Sequence, residues 1–225
     1  MCGRFSITPS KEKIEARFHA TMNAEWKPNY NVAPSQMVPI ITNENPKEIV
    51  MARFGFIPSW AEDAKMGYKM INTRAETILD KPTFKTAVKT KRCLILADGF
   101  YEWKATDKHK QPYRIGIKKG ELFAFAGIWN TWKGITTFSI ITCSANSAMK
   151  PIHERMPVIL PQDKEQEWLT NAHDEALTLL QPCDAKRMKT FVVSDAVNSV
   201  AHNSKELLLP VNSFSTSDAT TFSHK

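Results

Sequence analysis

Only four cysteines occur in the 225 residues, Cys2, Cys93, Cys143 and Cys183, and no CxxC pair or Cys/His cluster brings them together. Such spacing argues against a disulfide framework or a structural zinc site, so neither a metal nor another cofactor is expected. The chain also lacks any run of about 18 apolar residues able to span a bilayer. Its start lacks the charged-then-apolar order of a signal peptide. No membrane partner and a cytoplasmic location are therefore expected. There is no long basic tail, no internal repeat and no evident linker, which excludes solenoids and extended polyelectrolyte arms.

What is present is an ordinary globular composition, with 42% hydrophobic and 24% charged residues, enough to bury a real core. Lysine and arginine outnumber the acids 30 to 23, a formal charge of +7. That balance suits a polyanionic partner without singling one out.

Several segments read as elements. KEKIEARF places Ile14 and Phe18 four apart after Pro9-Ser10, predicting a short helix. VPIIT and EIVMARF predict strands separated by the polar turn NENPK. RCLILADGFYEWK predicts a buried strand, a turn at Asp98-Gly99 and another strand. YRIGI, LFAFAGIW and TTFSIITC add more, with Gly120 and Gly134 as turn markers. PTFKTAVKTKR, QDKEQEWL and DEALTLL are further helix candidates. GFIPSWAEDAKMGYKMINTRAE is too irregular for one element and is expected to be a surface loop that places Trp60, Asn72 and Arg74. The pattern predicts one α+β domain over residues 1–210, with a largely antiparallel sheet system and peripheral helices. The polar segment 211–225 is expected to be a mobile tail.

Candidate chemistry starts at Cys2. Removal of Met1, which a small second residue permits, leaves an α-amine and a thiol on one residue. With reference pKa values of about 7.7–8.0 and about 8.5, both are usable nucleophiles near neutrality. Such a pair suits an aldehyde: the amine forms an imine and the thiol closes a thiazolidine. By position alone, Cys2 reads as an incidental small residue, although no apolar run surrounds it, and only the motifs further along the chain change that. Cys93 and Cys143, within CLILA and FSIITC, read as buried hydrophobes.

Other residues admit two readings each. Asn72 and Arg74, two apart in INTRAE, face one side if the segment is extended. They can orient an amine and grip phosphate, or make ordinary loop contacts. Glu102 in DGFYEWK is either a desolvated acid/base or a carboxylate on a wet strand face. His153 and Arg155, between Pro151 and Pro157, can donate a proton and bind phosphate, or pair structurally. Trp60 is the best candidate for stacking on a base. Trp129 and Trp132 read as core or rim, and Pro34 in NVAPSQ as a wedge.

Taken in order, MCGR, NVAPSQ, FGFIPSW, INTRAET, DGFYEW and IHERMP resemble the SOS response-associated peptidase (SRAP) family over residues 2 to about 160. The resemblance implies a β-barrel-like core. It implies a DNA damage function: binding single-stranded DNA at abasic sites, including junctions with duplex, and crosslinking to them through Cys2, with AP lyase cleavage as a competing outcome. It assigns Cys2 as nucleophile, Asn72 to positioning the amine, Glu102 to acid/base work and His153 to sugar ring opening. Gly3, Arg4, Arg74 and Arg155 would line the phosphate path, with Trp60 and Pro34 supporting unstacked DNA. Ala61 stands where a second tryptophan can occur in the family, which weakens the stacking expectation. The protein would act as a monomer, nucleoid-associated when bound to DNA. Two rivals remain: a thiol autopeptidase or peptidase, and a noncatalytic single-stranded DNA-binding module.

Overall fold

A computed structural model describes residues 2–107 and 109–211. Five strands, Met37–Thr42, Glu48–Phe54, Arg92–Ala97, Phe123–Trp132 and Ile135–Ser144, close into a barrel. Four junctions are antiparallel, and the fifth, between Glu48–Phe54 and Ile135–Ser144, is parallel. One parallel junction is unavoidable, because strict alternation of direction cannot close around an odd number of strands. All six residues of Arg92–Ala97 are buried, and the apolar side chains of the barrel strands make up most of the main core cluster.

A second, five-stranded antiparallel sheet runs in the order Met188–Val192, Lys110–Ile117, Gly99–Ala105, Phe5–Ile7, Asn29–Val32. The N-terminal strand therefore lies inside this sheet. It is also pinned to the barrel: the Phe5 ring packs edge-on against Phe54 at 5.5 Å and Phe125 at 5.8 Å. Asp98 fixes the strand from below, its carboxylate accepting from the hydroxyls of Ser6 and Thr8 and from Arg114. Three residues upstream of such an anchor, Cys2 has little freedom.

The helices are Lys11–Phe18, Pro82–Thr90, Glu165–Thr170 and His173–Thr178. Lys11–Phe18 buries Ile14 and Phe18, the pair that predicted it. Pro82 opens its helix at the first turn, where a missing N–H costs nothing. Gly120 and Gly134 have φ of 68° and 80°, the left-handed turn conformation. The α+β barrel expectation stands.

The loop expectation for residues 55–76 needs correction. The segment contains 3-10 turns at Ala64–Lys69 and Ala75–Thr77 and a strand, Asn72–Arg74, parallel to Ile135–Ser144. Its base is closed by the Phe56 N–H donating to the Met70 carbonyl. There Gly55, at φ 118°, approaches Gly67 so closely that a Cβ would lie 2.6 Å from the Gly67 oxygen. Of the expected tail, Val211 donates to the Val192 carbonyl. The remainder lies outside the described residues. Among the described residues, no helix is long and apolar enough to cross a membrane.

Candidate active site around Cys2

Cys2 is fully buried and belongs to the main apolar cluster, contrary to its unpromising sequence surroundings. The strand register explains this. Phe5 faces Phe100 and Ser6 faces Gly99, so the same register carried outward sets Gly3 beside Glu102. Burial pushes the Cys2 thiol well above its ordinary pKa, and the neighbouring Glu102 carboxylate raises it further. The thiol is thus held protonated.

Glu102 is itself 3% exposed, so it does not lie on a wet strand face. A buried carboxylate is costly and marks a functional candidate. It lines a cavity of about 800 Å³ together with Arg4, Trp103 and His153. Cys2 lies behind that wall rather than on it.

Asn72 comes from the other sheet. Its short strand, with Thr73 buried and Asn72 and Arg74 on the opposite side, shows the predicted two-residue alternation. The Asn72 Nδ2 donates to the Cys2 carbonyl at 3.1 Å, tying the barrel to the N-terminal strand. Its Oδ1 is buried and has no hydrogen-bond partner among the described residues. An orphaned acceptor beside the Cys2 backbone is a place for one more donor.

His153 lies in the connection between Ile135–Ser144 and Arg155–Pro157. The Arg155 backbone N–H donates to His153 Nδ1 at 2.9 Å. Nδ1 therefore accepts, which places the ring proton on Nε2 in the neutral form. The four residues expected to carry chemistry converge on one corner where the sheets meet.

The remaining candidates are more scattered. Gly3 and Pro34 are half-buried, and Arg74 is exposed. Pro34 occupies a turn in which Gln36 N donates to Ala33 O, with Ser35 at φ 77°. Arg4 faces the cavity, its guanidinium donating at 2.8 Å to both Asn31 Oδ1 and the Val197 carbonyl. Those acceptors are neutral, so its charge stays available. Trp60 is 65% exposed but does not line the cavity. Trp129 and Trp132 are buried, as are Cys93 and Cys143, whose thiol burial pushes up to about 12. Trp103, next to Glu102 in DGFYEWK, forms part of the cavity wall. Nothing in its residue type distinguished it from the other five tryptophans.

Arg155 is engaged within the fold. It is buried, forks onto Glu76 at 2.7 and 2.9 Å, and donates to the Thr142 carbonyl at 2.8 Å. This pairing holds the Glu76 carboxyl down at about 2. Because the folded value is depressed, the stabilisation is full above the unfolded carboxylate value and is lost as pH falls towards about 2. Glu76→Gln, which strands a buried cation, should cost about 1–3 kcal/mol at neutral pH, discounted because the carboxylate is partly wet. Denaturant titrations should show the wild-type advantage shrinking below about pH 5. An advantage that persists undiminished to the acid limit would contradict the pairing.

The SOS response associated peptidase (SRAP) family model matches residues 1–200. The chain is 47% identical over 221 residues to the abasic site processing protein YoaM of Bacillus subtilis, covering 92% of this chain and 97% of the relative. It is 33% identical over 264 residues to the abasic site processing protein HMCES of Gallus gallus, covering 94% and 78% respectively. A crystal structure of a protein from Bacteroides thetaiotaomicron superimposes with a TM-score of 0.86 at 29% identity, covering 93% of this chain and all of the other. The ordered motifs, the barrel with its inserted N-terminal strand and these likenesses agree: the chain belongs to the SRAP family.

Proposed function

We propose that this protein captures abasic sites in single-stranded DNA, including sites at junctions with duplex, as a thiazolidine on Cys2 once Met1 has been removed. The carrying observation is the corner where Cys2, held by Asn72, lies against the Glu102 and His153 cavity. The names of the relatives, abasic site processing proteins, support the substrate.

The reaction needs no external oxidant or reductant. An abasic sugar in its open form presents an aldehyde carbon. As the ring opens, the proton of the anomeric hydroxyl ends on the departing ring oxygen, and the His153 Nε2–H stabilises that oxygen by donating a hydrogen bond to it. The Cys2 amine, accepted by the orphaned Asn72 Oδ1, adds to that carbon, and water leaves to give the imine. The thiol sulfur then bonds to the same carbon while the S–H proton passes by way of Glu102 to the nitrogen. Ring closure removes the imine that would acidify the adjacent sugar carbon, so strand cleavage by β-elimination, the AP lyase outcome, competes only before closure.

Around this centre Arg4 and Arg74 meet phosphates, with Gly3 permitting close approach, and Trp60 and Pro34 support the displaced strand. Residues 1–210 act as one unit, as a monomer. Arg155 contributes through the loop that carries His153. The test is intact mass after mixing the Met1-free protein with abasic single-stranded DNA. An adduct of protein plus strand minus one water, mapped to Cys2, is expected. Absence of any adduct with Met1 verifiably gone would leave the noncatalytic binding module, and cleavage of peptides by Cys2 the peptidase.

A further inference from the structure

The cavity beside Glu102 and His153 has a second wall that none of the motifs supplies. One part is the hairpin joining Gly99–Ala105 to Lys110–Ile117, which contributes His109 and Lys110. The other is the 3-10 turn Asp195–Asn198, which contributes both its end residues. The turn is fastened to the N-terminal strand, since Val197 O accepts from Arg4 and Asn31, so the wall is fixed relative to Cys2.

This wall offers directed donors. The Trp103 indole N–H donates to Asn198 Oδ1 at 2.7 Å. That bond commits the amide oxygen and leaves the Asn198 NH2 group as a donor. Lys110 forms no ion pair among the described residues. The Arg4 guanidinium, whose hydrogen-bond acceptors among the described residues are neutral, faces the same space. His109 is occupied with its own hairpin, its Nε2 lying 3.3 Å from Gln111 Oε1. Asp195, at the other end of the Asn198 turn, is this wall's one carboxylate, set against the cations of Lys110 and Arg4 in the same cavity. A cavity of about 800 Å³ also has room beyond one sugar ring.

We infer that Lys110 and Asn198 form a phosphate subsite that holds the linkage flanking the captured sugar. This rests on the DNA-binding reading above. It adds two residues to it and ties them to one phosphate. A free ammonium and an oriented amide donor suit a phosphodiester oxygen, the first by charge and the second by direction.

The experiment measures affinity of the Met1-free protein for a single strand carrying a tetrahydrofuran analogue of the abasic site, across a salt titration. The analogue has no aldehyde, so the result stands whether or not Cys2 forms a crosslink. Lys110→Ala should weaken binding about five- to tenfold. It should also reduce the slope of log affinity against log salt by about 0.7, the value of one phosphate contact on a single strand. Asn198→Asp keeps an oxygen for Trp103 but replaces the donor, and should also weaken binding. Placing an uncharged methylphosphonate at each linkage in turn should reveal one position at which Lys110→Ala costs nothing more. An unchanged salt slope in Lys110→Ala, or a loss indifferent to where the methylphosphonate lies, overturns the subsite.

Discussion

Cys2→Ser is expected to abolish the heat-stable protein–DNA adduct while leaving the α-amine in place. Serine preserves the size of the side chain in a fully buried position, so the fold should survive. The hydroxyl is a far poorer nucleophile than sulfur and does not close the ring under the same conditions. The imine should still form and be trappable by borohydride. Because it then persists, β-elimination has longer to act and strand cleavage should rise. Denaturing gels after heating, with and without borohydride, separate these products. A heat-stable linkage in the serine variant equal to that of the parent would sink the thiazolidine.

Glu102→Gln offers a test in which two physical effects have opposite signs. The Glu102 charge is one reason the Cys2 thiol lies well above its ordinary pKa. Neutralising it should lower that pKa and raise the thiolate fraction at any given pH, visible in thiolate absorbance with Cys2→Ser as blank. If Glu102 acted by its charge alone, capture would therefore accelerate. A carboxylate that carries the proton from sulfur to nitrogen predicts the reverse, a fall of roughly 100- to 10,000-fold in the capture rate. Faster capture in Glu102→Gln would remove the acid/base role and leave electrostatics. A lower thiol pKa with slower capture is the signature of proton transfer.

The sequence was informative where chemistry is local. The helix Lys11–Phe18 follows from two apolar residues one turn apart, and the barrel strands from long apolar runs between turn residues. The strand Asn72–Arg74 was hidden because three residues, all of them polar, are too short to show a period. Its existence depends on the parallel register with Ile140 to Thr142, which no local signal encodes. Arg155 shows the same limit: nothing near it in the chain announces that the fold brings Glu76 against it.

By itself the sequence determined a cysteine at position 2, the α+β class and the four residue types suited to aldehyde capture, because these depend on covalent connectivity and short-range pattern. Only the tertiary structure decided that Cys2 is buried, that Asn72 reaches its carbonyl from another sheet, and that Lys110 and Asn198 share the cavity with Glu102. These are long-range pairings, fixed by strand register and by the anchoring of Phe5 and Asp98 rather than by neighbours in the chain.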